Sequence, residues 1–160
     1  MKVIFLDIDG VLTSRNSDSF IFECDSEKYK LNDYCLECLK YILDNVNNCK
    51  IVLSTSWRNY PDNHIMINTY GEVYKSLIPQ LKFLFGDYIV GKAPHNTSGN
   101  NKYTDISDYL SEHSEVVDFV VMDDDPTQGL QGFGEQFFKI SMYTGLTLEI
   151  AKKVVDYFNN

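Results

Sequence analysis

The chain has 160 residues, with 14 Lys and Arg against 23 Asp and Glu, a formal net charge of −9. At 44% hydrophobic and 14% aromatic, it carries enough apolar side chain for a sizeable core, which excludes a disordered chain; its length fits one domain, 1–160. No apolar run approaches the roughly 18–20 residues of a membrane span, and a pI near 4.7 argues against a strong non-specific grip on nucleic acid, which needs clustered Lys and Arg.

The first segment, Met1-Lys2-Val3-Ile4-Phe5-Leu6-Asp7, turns acidic after a few apolar residues, so no secretory leader is read there. Val3–Leu6 is a predicted strand, apolar on both faces. Thr13–Lys30 follows as an irregular or hairpin-like connection. Leu31–Val46 has apolar residues at 35, 38, 39, 42, 43 and 46, a helical period, with Asn32 or Asp33 as N-cap. Ile51–Leu53 is a second apolar run and stops at Ser54-Thr55-Ser56. Tyr70–Ile78 reads as a helix with Val73, Tyr74, Leu77 and Ile78 on one face. Pro79 then breaks or restarts it before Leu81–Phe85. Tyr88–Val90 is a weaker strand candidate, and Ala93–Asn101, with Pro94, Gly99 and several Asn, is a predicted mobile loop. Tyr103–Glu112 reads as a helix through Ile106, Tyr109 and Leu110. Phe119–Met122 is the third apolar run, stopping at Asp123-Asp124-Asp125, and Phe137–Ile140 is another weaker strand. Thr147–Phe158 closes the series as a helix, with Ala151, Val154, Val155 and Phe158 behind a Thr147 cap. Such alternation predicts a three-layer α/β sandwich with a Rossmann-like, mainly parallel sheet.

The four cysteines are Cys24, Cys35, Cys38 and Cys49. Cys35 and Cys38 form a C-x-x-C pair, a spacing used for zinc or redox chemistry. Here the pair falls on the apolar stripe of a helix, so both thiols are expected in the core as small hydrophobes. Reduced thiols suit a cytoplasmic location.

Parallel sheets bind ligands just beyond the carboxyl ends of their strands. All three strong runs stop there in polar residues. Asp7-Ile8-Asp9-Gly10-Val11-Leu12 reads D-x-D-G-V-L, with Gly10 permitting a turn after the strand. Carboxylates this close repel unless a cation or proton intervenes, and more so beside Asp123 to Asp125. Oxygen ligands without His or Cys point to Mg²⁺. Taken alone, each tip also reads as an ordinary turn or cap.

The set of motifs resembles the haloacid dehalogenase (HAD) superfamily of phosphohydrolases. That resemblance implies Asp7 as nucleophile, forming an aspartyl-phosphate, and Asp9 as general acid and then base. It implies a hydroxyl on the phosphoryl group, Thr55 with Ser54 as the alternative. It implies a lysine against the aspartate and phosphate charge, Lys102 with Lys92 as the competitor. Val120-Val121-Met122-Asp123-Asp124 is similar to the family's metal motif. One of these acids, Asp124 ahead of Asp123, is expected to hold Mg²⁺ with Asp7 and the backbone carbonyl of Asp9. Asp125 is a candidate cap for the turn at Pro126.

A closer resemblance rests on Ser54-Thr55-Ser56-Trp57-Arg58, Asp123-Asp124-Asp125 and Gly145-Leu146-Thr147: these look like the HAD domain of Swiss Army Knife RNA repair proteins. There Ser54, Ser56, Trp57 and Arg58 are candidate substrate contacts, Arg58 for a second phosphate or a carboxylate and Trp57 for stacking on a base. The competing reading packs Trp57 in the core and gives Arg58 a structural ion pair. The gaps between motifs leave no room for a full cap domain, so a capless or minimally capped phosphatase is expected. Its substrate would be a phosphomonoester, on a nucleic-acid end, a nucleotide or another molecule, with no obligate protein partner. A receiver-like signalling domain and an inactive HAD-like binding module are the alternatives.

Overall fold

The computed structural model describes residues 1–14, 30–61, 65–67, 73–95 and 101–160. Cys24, most of the Thr13–Lys30 connection and residues 96–100 of the Ala93–Asn101 loop lie outside the described residues.

In chain order the elements are β1 (Lys2–Leu6), α1 (Asp33–Asn45), β2 (Cys49–Leu53), a 3-10 turn (Ser56–Asn59), β3 (Ile65–Ile67), β4 (Val73–Lys75), α2 (Ile78–Phe85), β5 (Ile89–Lys92), α3 (Lys102–Glu112), β6 (Asp118–Asp123), β7 (Phe137–Lys139) and α4 (Leu148–Asn159). Two further 3-10 turns, Pro126–Gln128 and Leu130–Gln136, join β6 to β7. Five strands form one sheet in the order β5-β2-β1-β6-β7, with every pairing parallel. The expected α/β sandwich is therefore present.

Alternation along the strands builds the two faces. Ile4 and Leu6 point into the larger core, with residues of α1, α2 and α4 such as Leu39, Leu81 and Val154. Val3 and Phe5 point the other way, onto Ile106 and Tyr109 of α3 and Leu130. Caps fix where the helices start. Asn32 accepts the N–H groups of Tyr34 and Cys35 at 2.9 and 3.4 Å, Asn101 that of Tyr103 at 3.0 Å and Thr147 that of Ile150. Cys35 and Cys38 are buried and unpaired, as a core helix stripe requires. Burial pushes the Cys35 thiol up to about 11, which suits an inert thiol.

One segment departs from the sequence pattern. Val73–Lys75 is a strand, not part of a Tyr70–Ile78 helix, and pairs antiparallel with Ile65–Ile67. Pro79 sits in the first turn of α2 rather than interrupting it. A proline there gives up only a donor that has no intrahelical partner, so the helix begins at this point.

The chain path places the site. From β1 it runs outward through α1 to β2 and on to β5, covering one face. From β5 it crosses back through α3, on the opposite face, to β6 on the other side of β1. The direction reverses at β1, and a crevice opens beyond its tip. Register makes the tips level: Leu6 pairs with Leu53 on one side and Met122 on the other. The next residues, Asp7, Ser54 and Asp123, thus meet at one height.

Candidate active site

Beyond Asp7 the chain curls at once. The N–H groups of Val11, Leu12 and Thr13 all turn back to the carbonyl of Ile8, at 3.2, 2.8 and 3.2 Å. Ile8, Val11 and Leu12 are buried and pin this turn to the core. Gly10 takes a left-handed φ of +73°, and a Cβ there would lie 2.5 Å from Asp124 Cγ. Only glycine permits both the turn and the close approach of Asp124.

Lys102, the first residue of α3, reaches the tip of β1 from the far face. Its ammonium lies 3.1 Å from Asp7 Oδ2 and 2.6 Å from Asp123 Oδ2, and the residue is 7% exposed. Burial pulls the Lys102 pKa down, but Asp7 and Asp123 outweigh it and leave the group raised and firmly charged. Lys92 lies elsewhere: its ammonium donates to the carbonyl of Arg58 at 3.0 Å. Of the two lysines, Lys102 is the one against the acids.

Asp123 is fully buried; it also accepts the Asp125 N–H at 2.9 Å. Burial and then the Asp7 charge push its pKa up to about 7. Burial, followed by Asp7, also raises Asp124. Asp125 caps the turn at Pro126, accepting the Thr127 N–H at 2.8 Å. Carboxylate oxygens of Asp7, Asp123 and Asp124 all lie within 4.8 Å of one another.

A cavity of about 660 Å³ opens over this cluster. Asp7, Asp9, Asp124 and Lys102 line it, whereas Asp123 lies behind. Among the described residues the acids of the wall outnumber its cations, and Lys102 and Arg58 already hold carboxylates.

The hydroxyls of the β2 tip separate. Ser54 and Thr55 are fully buried and do not line the cavity; the exposed Ser56 does. Thr55 Oγ1 accepts the Trp57 N–H at 3.4 Å and caps the 3-10 turn. Ser54 Oγ is the single buried side-chain polar atom without a hydrogen-bond partner among the described residues.

Trp57 and Arg58 both turn inward. Arg58 is 5% exposed. Its Nε donates to the carbonyl of Ala93, Nη1 to those of Ser54 and Thr55, and Nη2 to Asp105 Oδ2 at 2.6 Å and the carbonyl of Pro94. All five N–H donors of the guanidinium are thereby matched. As a substrate contact Arg58 has no donor to spare; as a clamp it ties the β2 turn to β5 and α3. Trp57, 2% exposed and part of the larger core, offers no face for a stacked base. Its indole Nε1–H instead donates to Asp9 Oδ2 at 2.9 Å.

Asp105 is a cavity residue that sequence reading missed. Its signal was helical spacing: three residues after Lys102 it falls on the same face of α3.

A D-x-D turn on a central strand, a lysine from the crossover helix of the opposite face and an acid pair on the neighbouring strand form the constellation of a phosphatase-type hydrolase. The chain belongs to the family described as the HAD domain in Swiss Army Knife RNA repair proteins, matched over residues 3–151. No curated protein matches it. Among the described residues no helix is long and apolar enough to cross a membrane. HAD domains generally use Mg²⁺, and the all-oxygen donor set of Asp7, Asp123 and Asp124 fits a hard divalent cation.

Proposed function

We propose that the chain is a Mg²⁺-dependent phosphomonoester hydrolase that works through an aspartyl-phosphate on Asp7. The observation that carries this reading is the buried Lys102 ammonium, shared between Asp7 and Asp123 at the mouth of the cavity. It sets a cation against a carboxylate, Asp7, that lines a space open to substrate.

Asp7 Oδ attacks phosphorus, and the bond from phosphorus to the ester oxygen breaks. Asp9, lining the same cavity, gives its proton to that departing oxygen. Asp9 then takes a proton from water as the water attacks the acyl phosphate. The phosphorus bond to Asp7 breaks, releasing inorganic phosphate and restoring the carboxylate. Lys102 and the Ser56 hydroxyl face the phosphoryl oxygens, while Thr55 acts one step back by shaping the turn. Asp7, Asp124 and the Asp9 carbonyl would hold Mg²⁺, which when bound cancels charge between the carboxylates and the phosphoryl group.

The family description and gaps between the motifs too short for a full cap domain favour a phosphate on a large molecule, above all a nucleic-acid 3′-phosphate. A nucleotide is the smaller candidate. Phosphate release from p-nitrophenyl phosphate with Mg²⁺ tests the activity, and Asp7→Asn should abolish it. Activity that survives this change refutes the nucleophile. Turnover of a 3′-phosphorylated oligonucleotide no better than that of a mononucleotide refutes the preferred substrate.

A further inference from the structure

Trp57 and Asp9 stand 48 residues apart and meet through one hydrogen bond, indole Nε1–H to Oδ2 at 2.9 Å. The indole is set in place from three sides. Its ring is packed in the larger core. Its backbone N–H is held by Thr55 Oγ1. The following residue, Arg58, clamps the same turn through the carbonyls of Ser54 and Thr55 at 2.8 and 2.7 Å. The acceptor is the reverse case, a half-buried carboxyl on a cavity wall. A rigid donor therefore meets a carboxyl that faces the cavity.

We propose that Trp57 is a positioning residue for the acid step, fixing the orientation of the Asp9 carboxyl within the cavity. Indole N–H donates and never accepts, so Oδ2 is held as its acceptor and the carboxyl plane is tied to the indole. A carboxyl held in this way delivers its proton without first searching rotamers, which is where orientation contributes to rate. The inference rests on the reading of Asp9 as general acid.

The test uses leaving groups. Phenyl phosphate expels a poor leaving group that needs the proton, whereas 2,4-dinitrophenyl phosphate expels a stable anion that does not. The value of kcat/KM reports the step up to phosphoryl transfer, before Asp9 acts as base. Trp57 is the one tryptophan of the chain. Biosynthetic incorporation of β-(3-benzothienyl)alanine therefore replaces its N–H with sulfur at this position alone and keeps the ring shape; Trp57→Phe is the second variant. Loss of the N–H should lower kcat/KM for phenyl phosphate by about 10- to 100-fold. For dinitrophenyl phosphate it should change by less than roughly threefold. Asp9→Asn should show the same selectivity more strongly. Equal losses on both esters would mean the indole is only structural, and no loss on either would mean the hydrogen bond is idle; each overturns the proposal. Failure of the unaltered protein to cleave either ester, or no selectivity in Asp9→Asn, instead refutes the underlying reading of the site and removes the basis of this one.

Discussion

Lys102→Met removes the ammonium that bridges Asp7 and Asp123 while keeping most of the buried stem. The ammonium sits 3.1 and 2.6 Å from the two carboxylates and is almost wholly covered. Breaking one buried ion pair by deleting a partner costs about 3–5 kcal/mol, because the other charge stays buried and unpaired. Three carboxylates then remain with oxygens within 4.8 Å of one another. At that spacing each like-charged pair repels by about 3.5 kcal/mol at an effective dielectric constant near 20. In metal-free buffer near pH 8 the expected loss of stability is therefore about 4–5 kcal/mol, towards the upper end of that range. The pH dependence has a definite sign. Asp123 is raised to about 7 in the folded chain, so between roughly pH 4 and 7 the folded state binds more protons than the unfolded one and stability falls as pH rises. Without Lys102 this window extends to higher pH. Lys102 itself is raised in the folded chain, so in the unaltered protein its contribution is complete below its ordinary pKa and is lost only as pH rises through the folded one. The deficit of the variant should thus be largest near pH 8 and shrink at about pH 5.5, where protonated carboxyls no longer need the ammonium. Urea unfolding with EDTA at the two pH values measures it. A loss under about 1 kcal/mol, or one equal at both pH values, refutes the argument that Lys102 holds the acid cluster together.

Two other changes have clear expected outcomes. Gly10→Ala forces a left-handed φ on a residue whose Cβ collides with Asp124; it should cost about 1–3 kcal/mol and, by displacing Asp124, reduce the rise in Tm expected on adding Mg²⁺. Thermal melts with and without Mg²⁺ read both effects. Arg58→Lys keeps the charge but replaces a planar set of five donors with one ammonium, leaving several of the carbonyls at Ser54, Thr55, Ala93 and Pro94 unmatched. A loss of about 2–4 kcal/mol in urea is expected, and near-neutral behaviour would show that the clamp is dispensable.

The central strands and the helices α1, α3 and α4 were legible because their signals are local. A strand buried on both faces is an unbroken apolar run, and a capped helix shows its own period and its own Asn or Thr. The β3–β4 pair was not legible. Val73, Tyr74, Leu77 and Ile78 fit a helical face as well as they fit a short strand followed by a helix start, and antiparallel pairing with Ile65–Ile67 depends on contacts that no local period records. The acids of the site were visible as strand-tip residues, because the sheet brings tips together. The roles of Thr55, Trp57 and Arg58 were less so. A 3-10 turn follows β2, and its tight winding sends the two largest side chains inward, one to Asp9 and one to Asp105. Neither partnership, across 48 and 47 residues, leaves a trace in spacing.

The position of β1 has a consequence for how the protein is made. It precedes both of its neighbours in sequence: Lys2 pairs with Cys49 on one edge and with Asp118 on the other. Its edges therefore stay open until the chain has closed two loops, the second well over twice as long as the first. Folding dominated by such distant pairings is slow compared with folding built from neighbouring segments. Until β6 docks, an apolar strand edge is open to pairing with other chains, the condition that favours aggregation. Asp7 acquires Lys102 and Asp123 only when residues 102–123 have docked on β1, so recovery of the site during refolding would report a long-range closure and not the first collapse.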